Sequence, residues 1–207
     1  MTAPMPNVWG PTFLPDGRVR FRLWAPAERR VLLIADGREA EMQAVGEGWH
    51  EVDTGIARPG GAYAFRLSDG FQIPDPAARA QKGDVGGASL LVDHDAYAWQ
   101  NPGWTGRAWE EAVICELHVG AFTPEGTFRA AIDRLPDLVH AGFTAVEVMP
   151  VAHFPGRHGW GYDGVLLFAP HNAYGMPDDL KALIDAAHGH GLMVLLDVVY
   201  NHFGPVG

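Results

Sequence analysis

The sequence predicts a multidomain chain of β plus α/β class, an antiparallel β-sandwich followed by a segment of parallel strands and helices. Three observations carry this. In residues 1–73, short runs of alternating apolar and polar residues are separated by turn residues. In residues 112–207 the pattern changes to strand, helix, strand, helix, strand, with near-continuous apolar strands at 112–119, 145–151 and 192–199. Between them, in residues 74–111, neither period persists.

The first part is clearest in FLPDGRVRFRLWAP, where Pro15, Asp16 and Gly17 supply turn chemistry. Val19, Phe21 and Leu23 then alternate with Arg18, Arg20 and Arg22, which predicts one packed face and one wet face. Further strands are expected at 31–34, 49–52 and 62–67, each bounded by glycine-containing turns. The segment 74–111 carries Tyr97, Trp99, Trp104 and Trp109, too many aromatics for disorder, and is expected to connect the two parts and pack on both. In the third part, a helix is expected from Thr127, kinked or restarted at Pro136 and closed by Gly142. A second begins at Pro177 with Asp178 and Asp179 at its positive dipole end and stops at Gly191. The loop between the second strand and this helix, about 150–176, far exceeds the usual ~2–6 residues. Loops of that size usually carry function, and in a barrel this one lies at the C-terminal face.

Bulk properties exclude several classes. The 207 residues are 47% hydrophobic, enough to build a globular core. Fifteen basic against twenty-five acidic residues give a net charge of −10, which repels phosphate backbones and anionic lipid, so neither nucleic acid nor membrane is expected as a partner. The start MTAPMPNVWG has no leader pattern and no run approaches the ~18 apolar residues of a membrane span, from which a cytoplasmic protein is expected. Cys115 lies inside the apolar run AVICELHV and reads as a small buried hydrophobe.

Chemistry concentrates near two segments. LLDVVYNHFG puts Asp197 near the end of the last strand, with Asn201 and His202 on the turn beyond. By itself this pattern fits a buried, backbone-satisfied Asp equally well. HGWGYDGV, in the long loop, offers Trp160 and Tyr162 among three glycines. Aromatic rings at a pocket mouth suit a sugar, whose C–H faces are apolar while its hydroxyls need hydrogen bonds, although the same rings can simply anchor the loop. Glu116 and Glu147 sit mid-strand, where a carboxylate needs a polar partner. An acid/base pair is one reading, but catalytic groups in barrels sit at strand ends, which favours a structural hydrogen-bond network. His153, His158, His171 and His202 fall on one face without a recognisable ligand spacing, so no metal and no cofactor is expected.

DVVYNH resembles the first conserved region of glycoside hydrolase family 13, the α-amylase superfamily, and GFTAVEVMPV resembles its second barrel strand. WGYDGV and NAYGMPDDLKALIDAAHGHGL resemble the segment between them, so the likeness covers nearly the whole chain. The resemblance implies an immunoglobulin-like early-set sandwich followed by the first three β/α units of a (β/α)₈ barrel. It also implies a retaining hydrolase acting on α-glucan or maltooligosyltrehalose; branching and debranching enzymes share the architecture, and a non-catalytic α-glucan-binding protein is the alternative from another class. By the same resemblance, Tyr162 stacks on the sugar at the cleaved subsite, His202 hydrogen-bonds it, Trp160 adds binding surface, and Asp197 orients the site through a later arginine. Asn201 is implied to be structural, its equivalent helping to bind calcium in some relatives. Two departures, His153 for an acidic residue and Met176 for glycine, are implied to lie beside the groove. The family's nucleophile, acid/base and third carboxylate follow strands four, five and seven. They are therefore expected beyond Gly207, and the chain is expected to be an N-terminal fragment without catalytic residues or glycosidase activity of its own.

Overall fold

The computed structural model describes residues 9–206, so the expected first-strand region's start at Val8 and the chain end at Gly207 lie outside the described residues. The chain divides into two units, Met1–Asp93 and His94–Gly207.

The first unit is an antiparallel sheet of β1 (Thr12–Phe13), β2 (Val19–Trp24), β3 (Val31–Ala35), β4 (Arg38–Gly46), β5 (Trp49–Thr54), β6 (Ala62–Arg66), β7 (Gln72–Ile73) and β8 (Ser89–Leu90). The spatial order is β1-β2-β5-β4-β3-β6-β7, with β8 also on β6. The first hairpin forms as its sequence predicts: Gly17 adopts φ 83° in the turn, and the Asp16 carboxylate accepts from the Arg18 amide at 3.0 Å. Val19, Phe21 and Leu23 point inward while Arg20 and Arg22 pair with Glu51 and Asp53 on the wet face.

The strand not foreseen is β4. Its nine residues, REAEMQAVG, bury only Met42 and so carry little hydrophobic alternation. It pairs with β3 through Met42 and with β5 from Gln43, with a register shift between Ala44 and Gly46. This change of partner curls the sheet over one core, so that Phe21 of β2 meets Tyr63 of β6 edge to face at 5.0 Å.

Residues 74–93 fold back onto this unit rather than running freely. The buried Asp75 carboxylate accepts from the Tyr63 hydroxyl at 2.8 Å and the Ala77 amide at 2.8 Å. Burial pushes the Asp75 carboxyl up to about 6, against the opposing effect of those hydrogen bonds and of Arg79. A folded pKa raised from the ordinary 3.8 means stability that is complete below about pH 4 and lost as pH climbs through 6. Unfolding free energy is therefore expected to fall by up to ~3 kcal/mol between about pH 4 and 7. Denaturant melts of Asp75→Asn should lose that slope; an equal slope in the variant would assign it to another group.

The second unit is built on a three-stranded parallel sheet of β9 (Ile114–Leu117), β10 (Ala145–Val148) and β13 (Met193–Leu196), in the order β13-β10-β9. Its helices are α1 (Val119–Phe122), α2 (Phe128–Ile132), α3 (Leu135–His140) and α4 (Pro177–Gly189). Thr127 caps α2 by accepting from the Ala130 amide at 3.2 Å, and Pro136 restarts the chain as α3. At α4, Asp179 reaches back to the Met176 amide at 2.8 Å. Phe128, Leu135, Leu183 and Leu192 pack with Val146 and Val148 in one core, with Cys115 half-buried against it.

The strands were expected to be apolar and covered on both faces; among the described residues helices cover one face only. The other bears Glu116 and Glu147 and leaves Ile114 exposed. The long loop is not featureless either. It carries an antiparallel ribbon of β11 (Ala152–His153) and β12 (Leu166–Pro170).

Residues 94–104 belong to this unit. The Asp185 carboxylate on α4 accepts from the Gln100 amide at 2.7 Å, the Asn101 amide at 2.9 Å and the Tyr97 hydroxyl at 3.3 Å. Trp104 stacks on His188. The stretch 74–111 thus divides at Asp93, each piece held by its own unit.

Candidate functional site

Strand register assembles the site. Glu147 is the pairing partner of Glu116 on one side and of Leu195 on the other. Side-chain alternation then puts Asp197, two residues past Leu195, on the same face as the two glutamates. The Asp197 amide donates to the Val148 carbonyl at 2.9 Å, so parallel pairing continues one step past β13 and holds this carboxylate at the strand end.

The long loop brings the aromatic partner. The Tyr162 hydroxyl donates to Asp197 Oδ2 at 2.9 Å. His202 Nε2 lies 3.1 Å from the Tyr162 carbonyl oxygen, and the Gly204 amide donates to the Gly164 carbonyl at 2.9 Å. The turn after β13 and the long loop are therefore joined at two points, one on each side of Asp163. The hydrogen bond to Asp197 raises the Tyr162 hydroxyl above its ordinary pKa, helped by desolvation and by the charges of Asp197, Glu116 and Glu147. Tyr162 is thereby kept protonated as a donor, in a residue that is 36% exposed.

Of the residues singled out from the sequence, Tyr162, Asp197 and His202 are brought together. Trp160 projects into solvent, 76% exposed. Asn201 is exposed and makes no hydrogen bond among the described residues. Glu116 and Glu147 share a face but not the expected network: among the described residues neither side chain has a hydrogen-bond or ion-pair partner. Glu116 is exposed and Glu147 half-buried, so each carboxylate keeps part of its water and the full burial cost that called for partners does not arise here.

The histidines separate. His153, expected beside the groove, is fully buried, with its ring stacked on His171 at 4.7 Å. His171 is itself buried, stacked on Phe154 at 3.8 Å, and placed to hydrogen-bond the Gly156 carbonyl at 3.0 Å. His158 is exposed. Among the described residues no group of three or more His, Cys, Asp or Glu side chains is placed to hold a metal ion. Met176 is 43% exposed at the start of α4.

Two further residues shape the loop. His118, just after β9, places Nε2 2.8 Å from the Gly159 carbonyl oxygen, and the Tyr174 hydroxyl lies 3.3 Å from the same nitrogen. No local spacing rule links positions 118, 159 and 174, which explains why sequence reasoning missed them.

The comparisons agree with this geometry. The alpha-amylase catalytic-domain family matches residues 64–206. A malto-oligosyltrehalose trehalohydrolase from Deinococcus radiodurans is 48% identical over 199 residues, covering 96% of this chain and 33% of the relative. One from Saccharolobus solfataricus is 43% identical over 94% of this chain and 35% of its own length. The crystal structure of a Salmonella typhimurium protein described as an alpha amylase superposes with a TM-score of 0.93 at 58% identity, over 96% of this chain and 34% of that one. The chain thus spans about a third of the length of the curated relatives it matches. With three parallel strands presenting Glu116, Glu147 and Asp197 on one face beside Tyr162, and a family match over most of its length, the chain belongs to the α-amylase family.

Proposed function

We propose that this chain supplies part of the substrate site of a retaining α-glucan hydrolase of the malto-oligosyltrehalose trehalohydrolase type, which cleaves the α-1,4 bond next to a terminal trehalose unit in trehalose biosynthesis. The observation that carries the reading is the hydrogen-bonded Tyr162–Asp197 pair with His202 joined to the same loop. The identity of 43–48% to two enzymes of that name supports the substrate class.

In this reading the curled antiparallel unit is an early-set, immunoglobulin-like sandwich, and β9, β10 and β13 open a (β/α)₈ barrel. The sandwich expected at 1–73 is extended by 74–93, and the barrel expected from 112 is preceded by 94–111 in the same unit, in place of one interdomain segment at 74–111; the proposed arrangement is cytoplasmic and needs no cofactor. The parallel register and the placement of Asp197 at a strand's C-terminal end support it.

Each residue then has a physical task. The Tyr162 ring offers an apolar plate to the C–H face of a glucosyl unit. Asp197 fixes that ring through its hydroxyl, which prepays the entropy of orienting it. His202, anchored through Nε2 to the loop, presents the rest of its imidazole for a sugar hydroxyl. Asn201 lies exposed in the turn that carries His202, and Trp160 adds glucan-binding surface on the same loop, outside the Tyr162–Asp197 pair.

Kinetics on the full-length enzyme test this. Trehalose is the expected product from maltooligosyltrehalose, and new branch points instead would replace the reading with a branching activity. Tyr162→Phe keeps the plate and loses the tie to Asp197, so a decrease in kcat/KM of about tenfold is expected, against about a hundredfold or more for Tyr162→Ala. Equal kinetics for wild type and Tyr162→Ala would remove Tyr162 from the site.

A further inference from the structure

We infer that the second unit carries a separate carbohydrate position, a cleft between the long loop and the α1 turn in which Trp160 is the platform and Glu125, Arg157 and His158 supply hydrogen bonds. Its ligand is a neutral pyranose, assigned to an α-glucan chain on the strength of the function proposed above. Tyr162, Asp197 and His202 do not line it.

The cleft has a volume of about 340 Å³, at the lower end of the ~300–1,000 Å³ of small-molecule sites. Its floor is rigid. The His118 and Tyr174 rings meet edge to face at 5.8 Å, and His118 Nε2 holds the Gly159 carbonyl at 2.8 Å, directly before Trp160. Space against that floor is tight, because a Cβ on Gly120 would stand 2.9 Å from the Tyr174 ring.

The rim is exposed, and its polar groups are open to a ligand. Trp160 is 76% exposed, an uncommon state for the residue with the largest ring. Among the described residues, Glu125, Arg157 and His158 make no hydrogen bond or ion pair. Arg157 brings only donors and Glu125 only acceptors, and both border one cleft. The two opposite charges offset each other, so the cleft gives no net preference for an anion or a cation. A neutral ligand whose hydroxyls both donate and accept suits the pair, and a pyranose adds an apolar face for the indole. Trp160 lies two residues before Tyr162, so both positions belong to one loop.

Affinity electrophoresis of the purified chain through gels containing amylose tests this, with circular dichroism to confirm that each variant is folded. Wild type is expected to be retarded. The double variant Glu125→Gln with Arg157→Gln should raise the apparent Kd about tenfold, Trp160→Ala should do the same, and Trp160→Phe should restore part of the loss. Unchanged retention in the double variant overturns the cleft, while loss in Tyr162→Ala in the same gels leaves the main site standing. Loss in the double variant with full retention in Tyr162→Ala supports the cleft and counts against the main site. Absence of retardation in wild type overturns the cleft, while the main site is judged by the kinetics of Tyr162→Ala in the full-length enzyme. Tighter binding of glucose 1-phosphate than of maltose overturns the neutral ligand.

Discussion

Replacing Gly161 with alanine is expected to be among the most damaging single changes in the second unit. Gly161 holds φ 92°, in the left-handed region that costs a residue with a Cβ about 1–2 kcal/mol. The larger obstacle is space. A Cβ there would fall on the Pro150 carbonyl oxygen and stand 2.8 Å from its carbon, both backbone atoms with no rotamer to yield. Residue 161 lies between Trp160 and Tyr162, so any shift of the backbone carries both rings away and breaks the tie from Tyr162 to Asp197. We expect a loss of ~3 kcal/mol or more in denaturant melts and a drop of at least tenfold in amylose affinity. Stability lost with affinity retained would show that the path of this loop does not set the site.

Asp185→Ala is expected to cost ~3 kcal/mol, although Asp185 touches no proposed substrate residue. The residue is 3% exposed, and its carboxylate accepts from two backbone amides, the Tyr97 hydroxyl and the Asn101 side-chain amide. Burial alone pushes such a carboxyl up, but these hydrogen bonds outweigh it and hold Asp185 below the ordinary carboxylate range. A depressed pKa gives stability that is present above the unfolded value and lost as pH falls through the folded one, opposite in sign to Asp75. Truncation strands the donors, so hydrogen exchange at the Gln100 and Asn101 amides should accelerate well before global unfolding. Asp185→Asn, which keeps one acceptor, should cost about half as much. Exchange rates equal to wild type in Asp185→Ala would show that residues 97–101 are held by other contacts.

Much of the architecture is legible in local pattern. The β1–β2 hairpin, the break of helix at Pro136 and the start of α4 at Pro177 follow from turn chemistry, proline and capping, which act within a few residues. The strand β4 is not legible, because a strand with one buried side chain shows no period. The ribbon β11–β12 was hidden for another reason: glycine-rich spacing between its arms reads as loop until the arms find each other. In the site, composition and resemblance point to Tyr162, Asp197 and His202, but their meeting depends on two contacts across forty residues, His202 Nε2 to the Tyr162 carbonyl and the Gly204 amide to the Gly164 carbonyl. His153 went the other way, since a histidine's preference for surface or core is weak and its partner His171 is distant in the chain.

By itself, then, the sequence determined the class of each unit, the parallel strands after Glu111 and the family, because periodicity and motif are properties of neighbouring residues. Only the tertiary structure decided which face of the parallel sheet stays uncovered, which histidines are buried and which groups surround Trp160. Those outcomes depend on strand register and loop path. They are set by the packing of residues far apart in the chain, which no local pattern encodes.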